Sequence, residues 1–200
     1  MIVVAIATKN EISKEQLTEF SIANPELGQL HYLETGVGKV NATFAITQLL
    51  SEDIVGAVIN LGTAGTTMPE LRGKIINSTK FFQRDMDVTA LGLPKYHTLY
   101  EDVAHTTGER IEAFPEYDCY TSDSFVTDTG DDVFPVIEME AYAIAKVCGR
   151  FDVPFVSLKY ISDGANQEAA DTWANSLTNV QTHLLDALVQ SITEIQIGII

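Results

Sequence analysis

Basic side chains are scarce in this sequence. Its 12 lysines and arginines stand against 28 aspartates and glutamates, a formal net charge of −16 over 200 residues. A field of that sign repels the phosphate backbone of nucleic acid and the anionic leaflet of a membrane, so neither is expected as a partner. It also disfavours a substrate with free phosphates unless a basic cluster offsets it, and the lysines and arginines are scattered along the chain. A neutral or zwitterionic small molecule is the expected ligand. Cysteine is scarcer still. Cys119 and Cys148 lie far apart with no CxxC or histidine-rich spacing, so two buried free thiols are expected and no zinc site or disulfide is. No apolar run approaches the roughly 20 residues that span a bilayer. The apolar start, Met1 to Thr8, lacks a basic leader region, a long hydrophobic stretch and a small-residue cleavage site. These absences predict a cytosolic chain.

What is present suits one buried core. The hydrophobic content is 46%, and 200 residues fall within the usual span of one domain, so residues 1–200 are expected to form a single domain. Ile2–Ala7 is rich in Val and Ile and predicts a central strand. Ser13-Lys14-Glu15-Gln16 with Leu17 and Phe20 predicts a capped amphipathic helix. Leu30–Glu34 reads as a strand, Val40–Leu50 as a helix, and Val55–Leu61 as a buried strand broken by Gly62-Thr63-Ala64-Gly65. Lys74 to Val88 holds one or two strands, Leu91 to Pro115 a loop-rich excursion, and Tyr117–Tyr120 a short strand. Glu138–Cys148 is Ala-rich and reads as helical, while Val153–Ile161 is a strand whose Pro154 suits its start. A last helix is predicted from about Asp171 to Thr193, where Trp173, Leu177, Val180, Leu184, Leu185, Leu188 and Ile192 form one apolar stripe expected to pack in the core. Strands alternating with helices imply a mainly parallel, buried sheet.

Several short segments carry chemistry, each with a plainer reading beside it. Gly36-Val37-Gly38-Lys39 is not a phosphate-binding P-loop, which needs Gly where Leu33 stands and Ser or Thr where Val40 stands. It matches a dinucleotide fingerprint poorly too, and ordinary strand-to-helix connection chemistry accounts for it. Gly62–Gly65 either admits a flat ligand close to backbone N–H groups at the carboxyl end of a parallel sheet or is a tight turn. Phe125 offers an aromatic face next to Asp123, and an aromatic ring stacks any base. Glu138 and Glu140 fit the positive end of a helix dipole with no further role. Asp163, in Ile161-Ser162-Asp163-Gly164-Ala165-Asn166, ends a strand where open α/β sheets keep their ligand sites, and Glu11 lies just past the first strand at the same edge.

Taken together, Thr35–Ala42, Asn60–Gly65, Asp85–Ala90, Ile137–Ala141, Val153–Val156 and Ile161–Asp163 resemble, in order and spacing, the nucleoside phosphorylase and nucleosidase superfamily, and within it the methylthioadenosine/S-adenosylhomocysteine nucleosidases. The resemblance covers most of the chain. It implies a three-layer α/β/α fold with a mixed, mainly parallel central sheet, and hydrolysis of the N-glycosidic bond of a purine nucleoside. By it, Asp163 is the general acid that protonates the purine N7, Glu140 holds the ribose hydroxyls, and Glu11 orients water against the anomeric carbon. Phe125 stacks the purine, Val126 reads its edge, Met139 lies under the sugar, Thr63, Ala64 and Gly65 line the pocket, and Ser162 joins the binding set. In the family the loop after Asp87–Ala90 crosses a dimer interface, which gives Leu91 and Leu93 the 5′ substituent of the neighbour's substrate and implies a homodimer. No metal or cofactor is implied. Phosphorylases of the superfamily carry an arginine where this chain has Asn60, and phosphate needs cationic donors, so water is the expected nucleophile. A phosphorylase, a nucleosidase for another purine nucleoside, and a non-catalytic nucleoside-binding protein are the competing expectations. Two departures stand out. Lys159 replaces the family's arginine, and the segments 96–117 and 126–136 are short for the family.

Overall fold

The computed structural model describes residues 1–196, and its elements follow the hydrophobic patterning closely. Among the described residues are nine strands, β1 (Ile2–Ile6), β2 (Leu30–Glu34), β3 (Ala57–Gly65), β4 (Ile75–Ser78), β5 (Lys80–Gln83), β6 (His105–Thr107), β7 (Cys119–Thr121), β8 (Val136–Glu138) and β9 (Phe155–Asp163). Four helices join them, α1 (Lys14–Ala23), α2 (Lys39–Glu52), α3 (Ala141–Arg150) and α4 (Ala169–Gln196). The predicted cap of α1 is present as a reciprocal pair: Gln16 N–H donates to Ser13 Oγ at 3.3 Å and Ser13 N–H to Gln16 Oε1 at 2.7 Å.

Residue alternation along the central strands sets up three layers. Val3 and Ala5 of β1, Val58 of β3 and Phe155 and Ile161 of β9 pack with Ile46 and Leu49 of α2 and with Ile144 and Cys148 of α3. On the other side Val4, Ile6, Ile59, Leu61, Val156 and Leu158 meet Leu17 of α1 and Val180, Leu184 and Leu188 of α4. The apolar stripe of the last helix is therefore core from Val180 onward. Both cysteines are buried and free.

β3 is the hub. It pairs in parallel with β1 on one side and β9 on the other, and its last residue, Gly65, bridges Ile137 of β8. β9 continues into antiparallel β4, while β8 continues into parallel β7 and then β5. Thr79 alone separates β4 from β5, so the two branches meet and the strands around β3 close on themselves. Carboxyl ends of β3 and β9 therefore face the end of β8 across a small rim, where β1 also delivers its following loop.

Two expectations are corrected. Gly62–Gly65 is no break, because β3 runs through it to Gly65. The glycines are there for close approach: a Cβ on Gly62 would lie 3.1 Å from Glu11 Oε1, and one on Gly65 would lie 2.7 Å from Asp163 Oδ1. Glu138 also belongs to a strand, not to the helix after it. Three residues, Val136–Glu138, are too few for alternation to declare a strand, and the Ala-rich helix beside them dominates the pattern.

Candidate active site

At the rim the structure encloses a cavity of about 320 Å³, lined by residues from widely separated segments, among them Glu11, Thr63, Phe125, Met139, Glu140 and Asp163. Ala64, Gly65 and Val126 line it as well. Of the remaining expected residues, Ser162 lies behind the wall with its side chain against Asp163, and Leu91 and Leu93 are not among the lining residues of this single chain. Leu91 is 65% exposed.

Each carboxylate is held differently. Asp163, the last residue of β9, is buried, and its Oδ1 accepts from the N–H of Ala165 at 2.9 Å. Ala165, just after β9, takes a left-handed backbone (φ 48°). Ser162 Oγ stands 2.8 Å from Asp163 Oδ2 and 3.2 Å from the carbonyl of Ala64. A hydroxyl has one proton to give, so Ser162 donates to one of these two acceptors at a time.

Glu11 follows β1 in a turn and is buried. Its Oε1 accepts from Thr63 N–H at 2.6 Å and from Thr63 Oγ1 at 2.7 Å, whereas Oε2 is buried with no protein partner. Burial pushes the Glu11 carboxyl above its ordinary value, and the nearby Lys159 and the Thr63 hydrogen bonds offset this only in part. Glu140, at the cap of α3, accepts from Gly38 N–H at 2.8 Å. That contact gives the glycine pair a use beyond connecting β2 to α2. Burial first and the neighbouring Glu138 second raise Glu140 to about 7.

Beneath these groups lies a buried ion pair, Lys159 Nζ to Glu138 Oε2 at 3.3 Å. Glu138 also accepts from the N–H groups of Glu140 (2.9 Å) and Ala141 (2.7 Å), and from the hydroxyl of Thr121. From the end of β8 its side chain thus receives the first N–H groups of α3 and supports Glu140. Burial pulls the Lys159 ammonium down, but Glu138, Glu140 and Glu11 together outweigh it and the net shift is upward. A cation in this place is kept charged by three carboxylates.

Sequence reasoning missed three participants. Glu138 was read as helix-terminal charge and Gly38 as part of a connecting turn. Trp173 was assigned to the core stripe of α4, yet it lines the cavity and its Nε1–H donates to Thr63 Oγ1 at 2.9 Å. Only its position on the first turns of a helix that starts beside Asp163 could have signalled this. No group of three or more His, Cys, Asp or Glu fit to hold a metal occurs among the described residues.

The fold and this cluster of carboxylates at a sheet edge define a class: the chain belongs to the phosphorylase superfamily, whose family description matches residues 6–195. Within it the chain belongs to the methylthioadenosine/S-adenosylhomocysteine nucleosidases. It is 33% identical over 185 residues to the 5′-methylthioadenosine/S-adenosylhomocysteine nucleosidase of Anoxybacillus flavithermus, covering 82% of this chain and 80% of that one. The crystal structure of the corresponding Neisseria meningitidis enzyme with methylthio-immucillin-A matches at a TM-score of 0.80 and 23% identity, covering 96% and 98% of the two chains. Futalosine hydrolase of Helicobacter pylori matches as well, at a TM-score of 0.81 and 21% identity over 96% and 97%. The fold as such therefore does not single out the nucleoside.

Proposed function

We propose that the protein hydrolyses the N-glycosidic bond of a purine nucleoside, with 5′-methylthioadenosine and/or S-adenosylhomocysteine as substrate, releasing adenine and the thioribose. The observation that carries this reading is the convergence of Glu11, Glu140 and Asp163 on one cavity. The purine stacks on Phe125, with Val126 at its edge and Thr63, Ala64 and Gly65 along the wall. Glu140 accepts from the ribose hydroxyls, and Met139 lies under the sugar. Water oriented by Glu11 attacks C1′ as the C1′–N9 bond breaks and its electron pair passes into the purine. Asp163 gives its proton to N7 and Glu11 receives one from the water, so the leaving base departs neutral. Ser162 holds Asp163 in place.

Water is favoured over phosphate because, among the described residues, no arginine or lysine lines the cavity, and Asn60 is buried and donates to the Ala5 carbonyl at 3.0 Å. The relatives' activity supports the same choice. We read the chain as one domain of 200 residues acting in the cytoplasm as a homodimer, with Leu91 and Leu93 of one protomer over the 5′ group held by the other. The exposed Leu91 agrees with this, and so does the absence, among the described residues, of a helix long and apolar enough to cross a membrane.

Adenine release from 5′-methylthioadenosine in phosphate-free buffer tests the reading. Release that requires added phosphate, or that is faster from another nucleoside of a panel, would sink it. Asp163→Asn should lower kcat by on the order of 100-fold or more; a kcat within a few-fold of wild type would remove Asp163 from the role of acid.

A further inference from the structure

Trp173 lies near the start of α4, on the stripe that continues through Val180, Leu184 and Leu188 into the core, yet its indole N–H is spent on Thr63 at the cavity wall. The hydrogen-bond arithmetic at Thr63 Oγ1 is restrictive. A hydroxyl offers one proton and two lone pairs, and an indole N–H can only donate. With Trp173 donating into one lone pair at 2.9 Å, the single Thr63 proton is left to point at Glu11 Oε1, 2.7 Å away. Thr63 N–H reaches the same oxygen at 2.6 Å. Both donors are thereby committed to Oε1 and hold the carboxyl in one orientation.

We infer that Trp173 is a positioning residue for hydrolysis: acting through Thr63, its indole N–H fixes the hydroxyl proton on Glu11 Oε1 and so holds the carboxyl in the orientation from which it acts on the attacking water. This rests on the reading of Glu11 given under Proposed function. Without the indole N–H the Thr63 hydroxyl is free to rotate and donate to the incoming water, leaving Glu11 one hydrogen bond poorer. Those hydrogen bonds hold the Glu11 carboxyl down against the effect of burial, so their loss moves it further up.

Trp173 is the chain's one tryptophan, which permits a near-isosteric test. Replacing it biosynthetically by benzothienylalanine exchanges the N–H for sulfur and keeps the ring volume; Trp173→Phe is the genetic counterpart. Both should lower kcat about 3- to 10-fold, the effect of one hydrogen bond, with a smaller change in KM. Both should also move the acidic limb of kcat/KM to higher pH. In a Thr63→Val background, where the middle of the relay is gone, Trp173→Phe should add no further loss of kcat, whereas in Thr63→Ser it should cost as much as in wild type. Unchanged kcat and pH profile in the benzothienylalanine protein, or the same loss from Trp173→Phe with and without the Thr63 hydroxyl, would overturn the inference and leave Trp173 a packing residue. Glu11→Gln separates the two levels. If it abolishes hydrolysis while the Trp173 replacements are silent, the relay is wrong and the role of Glu11 stands; if it hydrolyses at the wild-type rate, both fall.

Discussion

Glu140 is the residue at which burial and function conflict most openly. Its carboxyl is raised from 4.5 to about 7, by burial first and by Glu138 second. An acid whose folded-state value lies above its unfolded one binds more protons folded than unfolded between those two pH values. Its favourable contribution is therefore complete below about 4.5 and is lost as pH rises through about 7. Glu140→Gln removes that dependence while leaving an oxygen for Gly38 N–H. Denaturant unfolding at pH 8 should find the variant more stable than wild type by up to about 3 kcal/mol, with the gap closing toward pH 4.5. A gap that stays constant across this range would contradict it. The same substitution should raise KM for the nucleoside, since a carboxylate accepts from two ribose hydroxyls and an amide does so less well. At this scale the sequence was informative for the carboxylates that converge on the cavity and uninformative for the groups that hold them. Glu11, Glu140 and Asp163 stand in motifs, whereas Thr121 and Lys159 reach Glu138 only through strand pairing.

Among the elements, β3 shows why a glycine-rich run can be strand and not turn. Register brings Gly65 beside Asp163 on β9, and the missing side chain is what lets that carboxyl approach. Gly65 has no positive φ, so alanine is compatible with the backbone there and the conflict is confined to the Cβ, 2.7 Å from Asp163 Oδ1. Gly65→Ala should fold, yet lose on the order of 10- to 100-fold in kcat by displacing the acid, as a misplacement of about 1 Å can. Gly149→Ala in α3 is the matching control. Nothing lies within 4 Å of its Cβ position, so kcat should be unchanged and stability should rise by about 0.5–1 kcal/mol. Comparable losses of activity in both would show that β3 is not special. Most element positions were legible from periodicity, β2 to the residue. Where they were not, as in β8 and the end of β3, the deciding forces were cross-strand pairing and side-chain approach from elsewhere in the chain.

For the whole molecule, the exposed side chains Val37 (49%), Val40 (78%) and Phe44 (70%) form a helical-spacing stripe at the start of α2, and Val37 also lines the cavity. An apolar patch touching a ligand site is what a protomer contact there would use. On the proposed homodimer, Phe44→Glu should give a monomer in sedimentation, and that monomer should hydrolyse 5′-methylthioadenosine with a raised KM because the proposed cover by Leu91 and Leu93 of the partner subunit is withdrawn. A wild-type protein that sediments as a monomer would end this assignment. The sequence by itself determined the class of fold, since two periodicities, 2 and 3.6, alternate along it, and through the resemblance of its spaced motifs it picked out the carboxylates that the cavity brings together. It also decided against phosphate, through its charge and Asn60. Only the tertiary structure decided which oxygen of Glu11 is engaged by Thr63, that Glu138 and Lys159 form one buried pair, and that Trp173 faces the cavity. Those facts depend on contacts such as that between Thr63 and Trp173, 110 residues apart, which the tertiary fold creates and no local pattern encodes.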